Sequence, residues 1–293
     1  MNNAVIMAAG TASRFAPISY EIPKALIKVR GEVLIERQIQ QLKVAGIQEI
    51  IIVVGYKKEL FYYLQEKFGV KIVENKEYLK RNNHSSIWAV REFLGDTFIC
   101  SADNYFFENP FRIHEKESYY AAVYAEGFTD EWCMKEDDEG YICDVQVGGA
   151  NAWYMLGHAF WNKEFSEKFI CILSKEYELP GTEKLLWESI FIKHLSSLKM
   201  KIRRYGKEVI QEFDTLDELR KFDVSYAEKT GSQILQNIAI KLKCEEKEII
   251  NICDVKGTNN EAVGFRFTIG ENLYEYLYAE KLPVKLGNLS DKI

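Results

Sequence analysis

Six positions near the start of the chain have the types and spacing to hold a polyphosphate: Ala8, Ala9, Gly10, Ser13, Arg14 and Lys24. Ala4 to Met7 form an apolar run short enough for a buried strand. Ala8, Ala9 and Gly10 carry almost no side chain where that strand ends, so a bulky group can approach the backbone. Ser13 then adds a hydroxyl, and Arg14 and Lys24 add two cations. Exposed amides combined with cations are what a multiply charged phosphate chain requires. A plain strand-to-helix connection is the competing reading, because the stretch has neither the GK[ST] ending of a P-loop nor the three glycines of a dinucleotide fingerprint. Against it, the loop is long for a connection, and Pro23 fixes the backbone just ahead of Lys24. The residues read as a nucleotide-triphosphate loop.

Other chemistry-bearing residues are ambiguous when taken singly. Asp103 ends the apolar run TFICSAD and Asp214 ends EVIQEFD. An aspartate at a strand end is often a turn or cap residue, and Asp214-Thr215 suits the start of a helix over TLDELRKF. NNHSS, Asn82 to Ser86, sits just before a helical pattern and suits its first turn. Trp132 in DEW, Trp187 in LLWES and Glu212 come from different elements, and one tryptophan on an apolar helix is usually core.

Together these stretches resemble the signature of the sugar-phosphate and alcohol-phosphate nucleotidyltransferases, whose first strand ends in AAG, with an arginine four residues on and a PKAL-type lysine after it. The resemblance continues through NNHSSIWAV, SADNYFF, DEW and EFDTLDELRKF, covers about residues 1–224, and is to bacterial CTP:phosphocholine cytidylyltransferases of the LicC type. Ala12 departs from that pattern, since relatives often carry glycine there, and implies a stiffer loop.

The resemblance implies a role for each residue. Asp103 and Asp214 would hold Mg²⁺ against the triphosphate, which needs only one or two carboxylates besides the phosphates. Lys24 would take α-phosphate charge and Arg14 the outgoing β and γ phosphates, with Ala8, Ala9, Gly10 and Ser13 lining the loop. Asn83 and Ser85 would lie in the base-recognition region. Trp132, Trp187 and Glu212 would form the choline end of the acceptor site, because a quaternary ammonium cannot donate an N–H bond and is held by aromatic faces and nearby negative charge. The implied reaction is transfer of CMP from CTP to phosphocholine, giving CDP-choline and pyrophosphate. The acceptor phosphate is already mostly ionised at pH 7, so no protein nucleophile or strong base is required, which suits a chain with only four histidines. Aminoethylphosphonate, phosphoethanolamine and sugar 1-phosphates are alternative acceptors. A non-catalytic nucleotide-binding module is the reading from another class, and the joint presence of Arg14, Lys24, Asp103 and Asp214 argues against it.

The elements that must position these residues follow from periodicity. Short apolar runs at Ala4–Met7, IQEIIIVVGY, VKIVEN and DTFICSAD alternate with helical patterns at EVLIERQIQQLKVAG, KKELFYYLQEKFG and SSIWAVREFLG. This predicts an α/β fold with a mostly parallel central sheet, helices on both faces, and ligands outside the carboxyl ends of the strands. From Tyr119 onward the pattern turns to strands with turns at EDDEG and GG, predicting a mixed, acceptor-binding half. Helices are expected at KEFSEKFICILSKEY and at TEKLLWESIFIKHLSSL, the latter with Thr182 as cap. A single strand is expected at KIRRYGKEVIQEF and a helix at TLDELRKFDVSYAEK.

The organisation restarts near Lys229-Thr230-Gly231, so the expected domains are 1–224, a nucleotidyltransferase domain, and 225–293, a small α+β extension. The extension combines a short helix at SQILQNIAIKLKC with a hairpin turning at Gly270-Glu271-Asn272. With GTNN before the hairpin it weakly resembles the opening of a choline-kinase-like N-terminal lobe, and a packing or assembly element of a homo-oligomer is the favoured alternative. The net charge of −6 argues against nucleic-acid partners and anionic membranes, and 47% hydrophobic residues can fill a sizeable core. Six cysteines without a CxxC pair read as small buried thiols in a reducing compartment. With no leader-like start and no membrane-inserting stretch, the expected location is cytoplasmic.

Overall fold

The computed structural model describes residues 2–258 and 261–288. Strand β1 (Asn3–Ala8) leads into a loop with a 3-10 turn at Ser13–Phe15, a short helix α1 (Ile18–Glu21) and a second 3-10 turn at Lys24–Leu26. The ribbon β2 (Lys28–Val29) and β3 (Glu32–Val33) precedes α2 (Leu34–Val44) and β4 (Glu49–Val54). Then come α3 (Tyr63–Phe68), β5 (Lys71–Glu74), α4 (His84–Ala89), β6 (Thr97–Ser101) and β7 (Asn104–Phe106). The long strands β8 (Tyr119–Glu136) and β9 (Ile142–Trp161) are followed by α5 (Lys163–Glu176), α6 (Trp187–Lys193), β10 (Lys201–Tyr205), β11 (Ile210–Glu212) and α7 (Leu216–Phe222). The chain closes with α8 (Ser225–Glu228), α9 (Gln233–Leu242), β12 (Ile250–Lys256), β13 (Ala262–Ile269), β14 (Asn272–Leu277) and β15 (Pro283–Asn288).

By contacts the chain forms two compact units, Met1–Gly10 with Leu34–Glu212, and Thr11–Val33 with Phe213–Ile293. The first holds a seven-stranded sheet in the order β10-β8-β9-β6-β1-β4-β5. Strands β6, β1, β4 and β5 are mutually parallel, and β9 runs antiparallel to both β6 and β8. Consecutive residues of a strand face opposite sides of the sheet. Since Ala4, Val5 and Ile6, and likewise Ile51, Ile52, Val53 and Val54, are all fully buried, both faces of the parallel half are covered. The α/β, mostly parallel fold with a mixed second half is therefore what the chain adopts.

Several expected elements differ in detail. KIRRYGKEVIQEF is two strands: β10 extends the central sheet beside β8, and β11 pairs antiparallel with β7 in a separate ribbon after a turn at Gly206–Val209. The GG pair does not turn the chain but lies inside β9, where Gly149 passes so close to the Cys133 side chain that a Cβ would meet its sulfur at 2.9 Å. Thr182 sits in a separate 3-10 turn rather than capping a helix, because extended Leu186 intervenes before α6. Of the cysteines, all are free but only Cys100 and Cys133 are buried, so the expectation of six buried thiols does not hold.

In the second unit, Thr215 and Glu218 form a capping box at the start of α7, as the Asp214-Thr215 pair suggests. The expected single helix beyond it breaks at Asp223, whose carboxylate accepts from the Ser225 backbone N–H and hydroxyl. Ser232 caps α9, and β12-β13-β14-β15 make an antiparallel sheet whose β13–β14 hairpin turns at Gly270-Glu271, with Gly270 at φ +55°. Phe265, Phe267, Tyr276 and Tyr278 fill its buried face. The contact-based units thus take residues 11–33 with the extension, whereas composition alone drew a line at 224/225. Of the GTNN stretch, Asn259 and Asn260 lie outside the described residues. Among the described residues no helix is long and apolar enough to cross a membrane.

Candidate active site

Three charges of the predicted phosphate site meet in the second unit. Arg14 Nη1 donates to Asp214 Oδ2 at 2.8 Å, and Lys24 Nζ lies 3.9 Å from Asp214 Oδ1. Local backbone geometry sets this up. Ala12 adopts the left-handed conformation at φ +48°, ψ +46° and opens the 3-10 turn that carries Arg14. Pro23, at φ −52°, precedes the turn that carries Lys24. Phe15 is buried, and Lys24 Nζ sits 5.7 Å from its ring centroid. The Asp214 N–H donates to Glu218 Oε2 at 2.7 Å, which ties the aspartate to the first turn of α7. Lys24 is only 7% exposed while Arg14 is 69% exposed, so the lysine is a buried charge and the arginine a solvent-facing one.

In the first unit the strand ends behave as their small residues suggest. The Ala9 carbonyl accepts from the Tyr56 N–H at 3.1 Å, which fixes the loop as it leaves β1. A Cβ on Gly10 would meet no atom within 4 Å. The protein's own packing therefore does not demand a glycine there, and the space is open to a ligand. Gly55, at the end of β4, is different: its Cβ would press on Tyr78 at 2.6 Å and on the Ala9 carbonyl at 2.9 Å, so it holds two strand ends together. The sequence reading missed that residue, whose signal was a lone glycine ending an apolar strand.

Asp103 lies in the turn between β6 and β7, and in the β7–β11 ribbon Asn104 stands opposite Glu212. Asn104 Nδ2 donates to Glu212 Oε2 at 3.2 Å. The ribbon is thus how two acids 109 positions apart come to one strand-end region of this unit, with Asp214 two residues further along the chain.

Residues predicted for the base and the acceptor are placed less simply. Asn83 Nδ2 donates to Glu188 Oε2 at 3.0 Å, and its Oδ1 accepts from the Trp187 N–H at 2.7 Å. Ser85 Oγ donates to the Asn82 carbonyl at 2.7 Å and accepts from Asn75 Nδ2 at 2.8 Å. Both side chains are engaged within the protein and brace α4 against its neighbours. Trp187 is 1% exposed, stacked on Tyr120 at 5.6 Å between centroids and packed edge-on against Trp161 at 5.0 Å. Its ring belongs to the core, and the expected cage built from two tryptophan faces is reduced to Trp132, which is partly buried against that core.

Glu188, next to Trp187, escaped the sequence reading. Its oxygens accept from Asn83 and from the Tyr120 hydroxyl at 3.2 Å, both neutral donors. Dense surroundings push its carboxyl up to about 7, with the hydrogen bonds from Asn83 and Tyr120 opposing the rise. A half-buried acid with neutral partners can accept a cationic ligand or stay protonated. The only local hint was an acid one residue after a core tryptophan.

A parallel sheet with a small-residue loop after its first strand, two cations on one aspartate, and acids at the ends of neighbouring strands define a nucleotide-dependent transferase. Residues 4–111 match the MobA-like NTP transferase domain. The chain is 36% identical over 220 residues to the choline-phosphate cytidylyltransferase of Streptococcus pneumoniae, covering 75% of this chain and 96% of that one. It is 37% identical over 228 residues to the 2-aminoethylphosphonate cytidylyltransferase of Lancefieldella rimae, covering 76% and 93%. The solved structure of the CTP:phosphocholine cytidylyltransferase from Streptococcus pneumoniae (LicC) matches with a TM-score of 0.72 over 75% of this chain and 96% of that chain. The chain belongs to this nucleotidyltransferase family, and it is an enzyme of the cytidylyltransferase branch.

Proposed function

We propose that this enzyme transfers CMP from CTP to phosphocholine, releasing pyrophosphate. The observation that carries the reading is the Arg14–Asp214–Lys24 grouping: two cations held by one carboxylate that is itself 33% exposed. A triphosphate can take over both cations and leave the carboxylate to a metal. The acceptor's phosphate oxygen forms a bond to the α-phosphorus while the α–β bridging P–O bond breaks, and pyrophosphate departs with that electron pair. Lys24, fixed by burial, meets charge developing at the α-phosphate, and Arg14 follows the departing β and γ phosphates. Alignment of two bound reactants can supply on the order of 7–11 kcal/mol of barrier lowering. Among the described residues no cluster of three or more His, Cys, Asp or Glu side chains could hold a metal ion. Mg²⁺ bound with a nucleotide does not need one, and by the resemblance Asp103 and Asp214, each with hard carboxylate oxygens, would be its protein ligands. When bound, Mg²⁺ would neutralise phosphate charge.

At the acceptor end, Glu188 supplies negative charge and Trp132 an aromatic face for the trimethylammonium. A primary ammonium would also suit Glu188, which can accept its N–H bonds, and the likeness to the aminoethylphosphonate enzyme makes that acceptor the second reading. We place the protein in the cytoplasm, where CTP is found. Pyrophosphate release should be followed over four nucleoside triphosphates with phosphocholine, phosphoethanolamine and 2-aminoethylphosphonate, with and without Mg²⁺. Wild type should require CTP and Mg²⁺ and prefer phosphocholine, Asp214→Asn should lose turnover, and Trp132→Ala should cost phosphocholine roughly tenfold in kcat/KM. Preference for a primary amine would replace the acceptor, and full turnover by Asp214→Asn would remove the metal assignment.

A further inference from the structure

About a quarter of the chain is additional to the pneumococcal enzyme, which 75% of it spans almost completely. The motifs that carry the resemblance end at Phe222, just ahead of the extension. Within the unit formed by Thr11–Val33 and Phe213–Ile293, the extension grips the predicted triphosphate end on two sides. Tyr278, just beyond β14, lays its ring on Tyr20 of α1, with centroids 3.7 Å apart and planes within 9°. The Ile234 N–H at the start of α9 donates to Glu21 Oε1 at 3.2 Å. On the Asp214 side, the Arg220 guanidinium of α7 donates to the carbonyls of Ile249 at 2.6 Å and Glu246 at 2.9 Å. The Asn251 N–H donates to Asp217 Oδ2 at 2.9 Å.

In sequence, α1 lies between Arg14 and Lys24, and α7 begins two residues after Asp214. Close packing does not lock α1 all round, because Ile18 and Ile22 border a cavity of about 510 Å³ that Leu26, Tyr226 and Thr230 also line. The discrete attachments therefore set where this segment sits, and the Tyr20–Tyr278 stack is the broadest of them.

We propose that Tyr278 is a positioning residue for phosphate binding: by holding α1 it sets the spacing of Arg14 and Lys24 around Asp214, which makes the extension a working part of the nucleotide end. The inference rests on the assignment of those cations to the triphosphate. It predicts a loss confined to the phosphate side, since a stacked pair contributes enough to shift binding by roughly 3- to 10-fold.

The test is calorimetric binding of Mg²⁺-pyrophosphate and, separately, of phosphocholine to the full-length chain, with melting temperatures recorded. Tyr278→Ala should weaken pyrophosphate roughly 3- to 10-fold and leave phosphocholine binding unchanged. Tyr278→Phe, which keeps the ring, should restore wild-type affinity. Adding Tyr20→Ala to Tyr278→Ala should weaken binding little further, because the two rings act as one unit. Unchanged pyrophosphate affinity in Tyr278→Ala overturns the proposal, as does equal weakening of both ligands. Wild type that binds pyrophosphate but does not use phosphocholine would displace the acceptor assignment and leave this one standing. Wild type that fails to bind pyrophosphate would overturn both.

Discussion

Under the proposed function, Glu188 would couple acceptor binding to stability. Its carboxyl, ordinarily near 4.5, is raised to about 7 because burial penalises the ionised form. The unfolded chain ionises this group first, so the cost to folding is absent below about 4.5, grows as pH rises and is complete above about 7. Glu188→Gln should therefore stabilise the protein at pH 8 by on the order of 1–3 kcal/mol and change little near pH 4, as urea melts at the two pH values would show. The same substitution should raise KM for the acceptor roughly tenfold at pH 8, since a charge-assisted contact is lost. It should also flatten the part of the kcat/KM profile that rises through pH 7 in wild type. A Glu188→Gln enzyme with wild-type acceptor KM would move the cation's counter-charge elsewhere, with Glu212 next to be tested. Trp187, one residue earlier, carries the opposite lesson. Its neighbours Tyr120, Trp161 and Phe169 make it a core ring, although the sequence reading assigns it to the acceptor cage.

At the scale of elements, the loop after β1 works because two short turns, rather than a long helix, carry the cations. Ala12 is the residue where the sequence departs from the pattern it resembles, and its left-handed φ of +48° is a conformation that glycine adopts at less cost. Ala12→Gly should keep both melting temperature and pyrophosphate release close to wild type. Relief of strain of about 1 kcal/mol is offset by the greater freedom of an unfolded glycine. Ala12→Val should lower both, because a β-branched residue is a true outlier in that conformation. Similar behaviour of the two variants would show that the loop tolerates other backbone paths. The β7–β11 ribbon belongs to the same scale. Its partners are more than a hundred positions apart, and the strand KIRRYGKEVIQEF had to break at Gly206 to supply one of them.

For the whole molecule, a net charge of −6 is compatible with an anionic nucleotide because Arg14 and Lys24 place two cations together on Asp214. The extension has to be judged at this scale too. A chain ending at Val224 would lose the ring that stacks on Tyr20 and the two carbonyls that satisfy Arg220, whose side chain is 8% exposed. Such a truncation should be poorly soluble or lose CTP-dependent turnover, in contrast to the separable appendage that the polar restart at Lys229 suggested. A soluble 1–224 fragment with full activity would show that α1 and α7 keep their places unaided.

The primary sequence by itself determined the parallel half of the sheet, the small-residue strand end at Ala8–Gly10 and the cation pair, because those features are written in local periodicity and residue type. Family motifs added the acids. The tertiary structure alone decided that Asn83 and Ser85 are engaged inside the protein, that Trp187 is core, that Glu188 carries a perturbed carboxyl, and that the extension holds α1 and α7. Each of these depends on which partner a side chain meets across many tens of residues. Burial and hydrogen-bond satisfaction are properties of that meeting, and no spacing within one segment encodes them.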